Sequence, residues 1–486
     1  MRTIVIGGGF GGMAAALRAR RRGHEVTLIE RCAQLGGRAQ VFEDRGFRFD
    51  AGPTVITAPF LFEELFELFG KRLSDYVELI ALDTWYQFYF QDGRRFSYGA
   101  DMAATLDNIR AFNARDVEGY QRLLESSREI FEIGFEQLAD RPFHRFSTMA
   151  AQVPALLRLK SYRSVWGMVS AHIEDPSLRQ AFSIPPLLVG GNPFHTTSIY
   201  ALIPWLERRW GVHFPVGGTG ALVAAMERLM REEGITIATD TTVERILSQG
   251  RRANGVALAG GERLPADLVI SNADAAHLYT SMVDTVPASL RFKLEHARYS
   301  MGLFVLYLGT DRQFPDAEHH TIWMGPRFRE LLADIFEHHR LAADFSLYVH
   351  RPTATDPSFA PPGGDSFYIL APVPNLQGNV DWHTEAERLA DSIIDALDRT
   401  TLPGLRESLV TRFHMTPEDF SERYLSRFGT GFSIAPIFRQ SAWFRFHNRS
   451  EALDNLLLVG AGTHPGAGVP GVLSSARVLE HLLPSV

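Results

Sequence analysis

A single cysteine in 486 residues, Cys32, leaves no partner for an internal disulfide and excludes a cysteine-ligated zinc site. It fits a reducing compartment. No HExxH run or comparable ligand spacing appears, so no metal is expected. Basic charge is also scarce: 49 Lys plus Arg against 56 Asp plus Glu leave a net charge of −7, without the electrostatic footprint of a nucleic-acid binder. Unbroken apolar runs are missing too. Gln180 to Leu206 carries no Lys, Arg, Asp or Glu, but Pro185, Pro186, Pro193 and Pro204 would break a spanning helix. Asn455 to Ala476 holds five glycines and two prolines and fails the same test. Internal repeats and low-complexity linkers are absent. The first residues enter a strand at once, without the basic head and apolar stretch of a secretory signal. A soluble, intracellular chain of two or three domains is the expectation.

What is present begins at Thr3 with TIVIGGGFGGMAAALRARRRGHEVTLIE. Thr3 to Ile6 is a short β-branched run that reads as a buried parallel strand, and Gly7, Gly9 and Gly12 follow in GxGxxG spacing. A helix from Met13 to Arg22 then points its amino end at the glycine loop, where backbone amides favour phosphate. His24 to Ile29 supplies a second strand. Glu30 follows, placed to accept hydrogen bonds from a ribose diol and to disfavour a 2′-phosphate. The stretch binds a dinucleotide, with FAD and NAD both open.

A second glycine pair, Gly36 and Gly37, comes directly after the ribose acid with Arg38 beside it, offering amides and a guanidinium for another approach to phosphate. Nicotinamide dehydrogenases do not ordinarily need one. At the far end, Leu456 to Val459 reads as another apolar strand, Gly460 to Gly468 as a loop, and Gly471 onward as a helix whose dipole would face a reduced flavin.

These ends, with FPVGGTGALVAAM (Phe214 to Met226), TTVERI (Thr241 to Ile246) and VISNAD (Val269 to Asp274), resemble the amine-oxidase-type FAD superfamily. Within it, LLVGGNPF (Leu187 to Phe194), HTIWMGPRFRELLADIF (His320 to Phe336), SAWFRFHNR (Ser441 to Arg449) and LVGAGTHPGAGVPGVLSSA resemble bacterial-type phytoene desaturases over nearly the whole chain. The resemblance implies an FAD enzyme that removes hydrogen pairs from a long polyene, phytoene, toward neurosporene or lycopene. It further implies that Gly7, Gly9, Phe10, Gly12, Glu30, Gly36, Gly37 and Arg38 hold the ADP half. Pro53 and Thr54 join the cofactor set, Val243 meets adenine through its backbone, and Gly460, Gly462, Val469 and Pro470 lie against ribityl and isoalloxazine. One departure stands out: many superfamily members carry an acid where this chain has Ala461.

The expected architecture is α/β. A Rossmann-type FAD domain is assembled from 1–70, 211–285 and 445–486; a mainly helical insertion spans 71–210, and a mixed-sheet substrate domain spans 286–444. Arg141 to Ile173 contains five basic residues and no acid, with Tyr162, Val165, Trp166, Val169 and Ile173 at helical spacing. That pattern suits a surface lying on anionic lipid, or equally a core-packed helix. A protein held at the inner face of the cell membrane is the expectation for so greasy a substrate. No catalytic acid or base announces itself, and His464 in the C-terminal loop reads as structural. PVGGTG at Pro215 to Gly220 lacks a second dinucleotide fingerprint, which points to a quinone or oxygen as electron acceptor. Related readings are a 1-hydroxycarotenoid or diapophytoene desaturase, a carotene isomerase, an amine oxidase, and a prenyl-protein carrier of the same fold that has lost FAD.

Overall fold

A five-stranded parallel sheet gathers its strands from three distant parts of the chain, as seen in a computed structural model that describes residues 1–485. Their order is Leu456–Leu458, Leu268–Ser271, Arg2–Ile6, Glu25–Ile29, Thr236–Ala238. Val5 stands opposite Leu28 on one side and Ile270 on the other, and Ile270 stands opposite Leu457. The chain's two ends are therefore separated by one strand. Helices Phe10–Arg21, Thr219–Glu232 and Val469–Val478 cover one face, where Met13, Met226 and Leu473 share a core. A three-stranded antiparallel layer, Val243–Gln249, Arg252–Leu258 and Arg263–Pro265, covers the other through Ile246 and Val256. Arg18 is buried inside the helical face. Glu64, at 2.8 Å, and Glu480 pair with it there, so the buried guanidinium is not left without a counter-charge.

The second sheet has seven strands in the order Leu409–Met415, Gly302–Thr310, Asp365–Val373, Leu347–His350, His320–Trp323, Thr84–Tyr89, Arg95–Gly99. All neighbours are antiparallel except His320–Trp323 beside Thr84–Tyr89. Gly302–Thr310 is buried along its whole length because both of its faces are covered. Phe304, Leu306 and Leu308 pack on helix Trp382–Arg399, while Leu303, Val305 and Tyr307 face the opposite core.

One expectation is refined and one open alternative is decided. Thr84–Tyr89 and Arg95–Gly99, read as part of a helical insertion, form a hairpin on this sheet's edge. Their aromatic residues, Trp85, Phe88, Phe96 and Tyr98, are buried there, and a turn at Gly93 joins the strands. The stripe through Val165, Val169 and Ile173 is core and does not face lipid; Trp166 packs against Phe194 and Phe328. Only Tyr162 of that set is exposed. Apart from the short strand Leu79–Ala81, the remaining insertion is helical and closes over the sheet's aromatic face.

Candidate active site

One cavity of about 530 Å³ runs from the nucleotide sheet to the substrate sheet. Another depression, near Gln87, offers about 10 Å³, room for one water at most. The large cavity opens at the carboxyl ends of Arg2–Ile6, Leu268–Ser271 and Leu456–Leu458, where open parallel sheets place their ligands.

Gly7, Gly9, Phe10, Glu30, Gly36, Gly37, Arg38, Pro53, Thr54, Val243, Gly460, Val469 and Pro470 all lie on its wall. Gly12 and Gly462 lie behind it. A Cβ on Gly12 would sit 1.9 Å from the Gly7 carbonyl oxygen, so this glycine lets the first helix rest on its strand. Gly462, expected beside the ring system, is packed against Ala275 and Ser433, each 3.0 Å from where a Cβ would stand. Its neighbour Ala461 faces the cavity instead.

The polar end is furnished for a dinucleotide. Each Glu30 oxygen accepts one backbone bond, Oε2 from Gly8 N–H at 2.7 Å and Oε1 from Cys32 N–H at 2.8 Å. That geometry fixes the carboxylate and leaves lone pairs for a diol. Helix Phe10–Arg21 starts at Gly9, and helix Val469–Val478 at Gly468; neither has a side-chain cap, so their first amides face the cavity unpartnered. Arg38 is half-buried, and desolvation pushes its guanidinium below the ordinary range. Its Nη2 donates to Ser426 Oγ at 3.2 Å and to the Thr430 carbonyl at 3.3 Å, while its Nε has no partner. A half-buried guanidinium with a spare buried donor and no carboxylate in contact fits a phosphate.

Asn272 is a site residue that spacing did not reveal. It follows strand Leu268–Ser271, next to the central strand, donates to the Gly7 carbonyl at 3.5 Å, and stands between Gly9, Gly11 and Gly460. Its signal was the end of a strand neighbouring the fingerprint strand, visible only once the strand order is known. Arg445 is another. Fully buried, it donates to the carbonyls of Thr463 (2.9 Å), Ala461 (2.5 Å), Ile434 (3.3 Å) and Gln440 (3.4 Å), and so holds the C-terminal loop in shape.

Beyond the polar end the cavity becomes a limb lined by Phe135, Leu138, Leu187, Leu202, Leu303 and Phe432. Glu207 is the one carboxylate in this limb among the described residues. Tyr86 Oη donates to its Oε1 at 2.8 Å, and Oε2 makes no protein hydrogen bond. Burial pushes the carboxyl up to about 7, against the pull of Tyr86 and Arg208. His464 also lines the wall. Its Nε2 lies 3.1 Å from the Leu138 carbonyl, and burial pushes it down to about 4, so it is neutral.

Residues 10–478 match the sequence profile of the flavin-containing amine oxidoreductases. The chain belongs to that family. Its full-length relatives narrow the branch. The lycopene-forming phytoene desaturase of Pantoea ananas is 47% identical over 484 residues, covering 99% of this chain and 98% of its own. The neurosporene-forming enzyme of Rhodobacter capsulatus is 41% identical over 492 residues, covering 99% and 94%. This flavoprotein is thus a member of the phytoene desaturase family. An oxidoreductase from Methanosarcina mazei shares its fold, with a TM-score of 0.70 at 18% identity over 99% of this chain and 100% of the other. The cofactor is FAD.

Arg38→Ala is expected to weaken FAD retention by about tenfold to a hundredfold, the worth of a charge-assisted hydrogen bond. Arg38→Lys should recover part of the loss, since it keeps the charge and loses the fork. Flavin absorbance per chain after gel filtration measures both.

Proposed function

We propose that this protein is an FAD-dependent phytoene desaturase, which withdraws hydrogen pairs from a C40 hydrocarbon and lengthens its conjugated system toward neurosporene or lycopene. The observation that carries the reading is the continuity of a dinucleotide site with a long apolar limb inside one cavity. FAD, when bound, supplies the hydride acceptor. Gly7, Gly9, Phe10, Glu30, Gly36, Gly37, Arg38 and Val243 would hold its ADP half, with Gly12 packing the helix behind them. Pro53, Thr54, Gly460, Val469 and Pro470 would meet the rest.

The chain's own residues do the remaining work. Apolar walls bind and align the polyene and exclude water, which strengthens every electrostatic interaction near the reacting carbons. Glu207 Oε2 takes up the proton that accompanies each hydride; Tyr86 keeps the carboxylate turned into the limb. A base titrating near neutrality suits that task.

The substrate is expected to arrive from a membrane. Among the described residues no helix is long and apolar enough to cross one. Helix Phe146–Arg158 nevertheless presents two stripes: Met149, Gln152 and Leu156 line the cavity, while Phe146, Val153 and Leu157 are exposed, Phe146 and Leu157 each at 61%. Exposed Arg158, Lys160, Tyr162 and Arg163 continue the outer stripe. One helix thus separates the limb from a basic, apolar surface suited to anionic lipid at the inner face of the cell membrane. Replacing Phe146 and Leu157 together by serine should lower binding to anionic phospholipid vesicles at least tenfold, as each side chain contributes about 1.5–3 kcal/mol on burial. Co-sedimentation measures this, and unchanged binding would remove the surface from the reading.

The electron acceptor is proposed to be a quinone or oxygen. A nicotinamide would need a second phosphate site, and the amino end of helix Thr219–Glu232 is filled from within: Asp50 accepts from Thr219 N–H at 3.1 Å and Gly220 N–H at 3.4 Å. Expression in cells that accumulate phytoene tests the function as a whole. Coloured carotenoid is the expected product, and unchanged colourless phytoene from a flavin-loaded protein would refute the assignment.

A further inference from the structure

Three histidines meet behind the tyrosine wall of the limb, and none of them lines the cavity. His320 and His350 stand directly opposite each other across strands His320–Trp323 and Leu347–His350, and His319 comes just before the first. All three are buried. One ring nitrogen from each lies within 4.8 Å of the other two, and the ring centres are 4.6, 4.8 and 5.3 Å apart. An ion held tetrahedrally at about 2.0–2.1 Å from each nitrogen would set the nitrogens about 3.3 Å and the ring centres about 5 Å apart. The rings already have that spacing, and small side-chain rotations would converge the nitrogens.

The second nitrogens point the same way. His319 Nδ1 lies 2.7 Å from Thr355 Oγ1, and His320 Nδ1 lies 3.0 Å from the Trp85 carbonyl. A carbonyl can only accept, so His320 carries its proton on Nδ1 and presents a bare lone pair at Nε2, the outer-shell arrangement of a ligating histidine. His319 Nε2, His320 Nε2 and both nitrogens of His350 are buried with no hydrogen-bond partner. One ion would take a lone pair from each ring and so answer three of these four atoms, which are costly to leave unsatisfied. Burial also pushes all three imidazoles below their ordinary range, toward the neutral form that ligates. The nearby Arg351 cation is answered by Asp365 at 3.2 Å, and Phe214, Tyr86, Tyr348 and Tyr368 make up the aromatic surround.

We propose that His319, His320 and His350 bind one divalent transition-metal ion of the zinc type. Three imidazoles without a thiolate select zinc and its neighbours over magnesium or calcium. The ion would clamp strand His320–Trp323 to strand Leu347–His350 and stiffen the wall, where the His320 ring lies 5.9 Å from Tyr86 and 5.7 Å from Tyr348. Sequence spacing had argued against any metal, because a pair of adjacent histidines and a third far along the chain match no ligand motif. Cross-strand register makes the site.

The test uses the full chain made without a histidine tag, in zinc-supplemented cells, purified without chelator, with metal measured by inductively coupled plasma mass spectrometry. About one divalent ion per chain is expected. His350→Phe and His319→Gln should each lower it at least tenfold, and exposed His338→Ala should leave it unchanged. Flavin absorbance of the same samples reports folding independently, and His319→Gln, which can still bond Thr355, serves if His350→Phe misfolds. Less than about a tenth of an ion per wild-type chain, or an adventitious ion only, unaffected by both variants, would overturn the proposal.

Discussion

Glu207→Gln should yield a protein that keeps its flavin, makes about a hundredth or less of the wild-type product, and unfolds at higher temperature above neutral pH. The catalytic loss follows from removing a positioned base, worth about 10²–10⁴-fold. Gln retains the acceptor for Tyr86 Oη, so orientation is kept while the proton acceptor goes. The stability change has a definite sign. Free Glu titrates near 4.5, and the buried group near 7. Between those values the folded chain holds a proton that the unfolded chain has released, so wild-type stability falls as pH rises through the window and stays lowered above it. Gln has no such dependence. The variant should match the wild type near pH 5 and exceed it near pH 8 by up to about 3 kcal/mol. Thermal unfolding of the flavin-loaded proteins at both values decides. Full activity, or a stability difference that ignores pH, would exclude Glu207 as the base. Wild-type product formation should rise with pH through about 7 for the same reason.

Gly12→Ala should abolish FAD retention, whereas Gly8→Ala, four residues earlier in the same loop, should largely preserve it. At Gly12 the new Cβ would meet the Gly7 carbonyl oxygen at 1.9 Å, a backbone atom fixed by the central strand. The helix must lift, and its amides move away from the phosphates they serve. Overpacking of this kind costs about 1–3 kcal/mol in stability. Flavin content should fall at least tenfold besides. At Gly8 the closest atom, at 2.5 Å, is Leu35 Cδ2, the end of a flexible side chain that can turn aside. Equal flavin content in both variants would show that close helix–strand contact does not set the cofactor site.

The contrast between these two glycines shows what is legible in a linear reading. GxGxxG, Glu30 and the Gly36, Gly37 and Arg38 group could be read because a strand, a turn and a helix amino end are consecutive, and their chemistry depends on spacing alone. Glu207 could not. In LERRWG it resembles any charge near a helix end, and its importance comes from Tyr86, brought from 121 residues away by the hairpin on the sheet's edge. The Val165, Val169 and Ile173 stripe was likewise ambiguous, since apolar periodicity marks a buried face without naming what covers it. Ala461 on the cavity wall is a related case: a loop's sequence does not say which residue faces inward.

By itself, the sequence determined a dinucleotide fold, because that rests on local spacing, while its resemblance to known desaturases over long motifs implied FAD, the apolar substrate class and the family. Only the tertiary structure decided which helix carries an exposed apolar stripe beside the cavity, which carboxylate stands in the limb, and that three histidines lie close together. Those properties belong to contacts between distant segments, and strand register, not sequence separation, sets such distances.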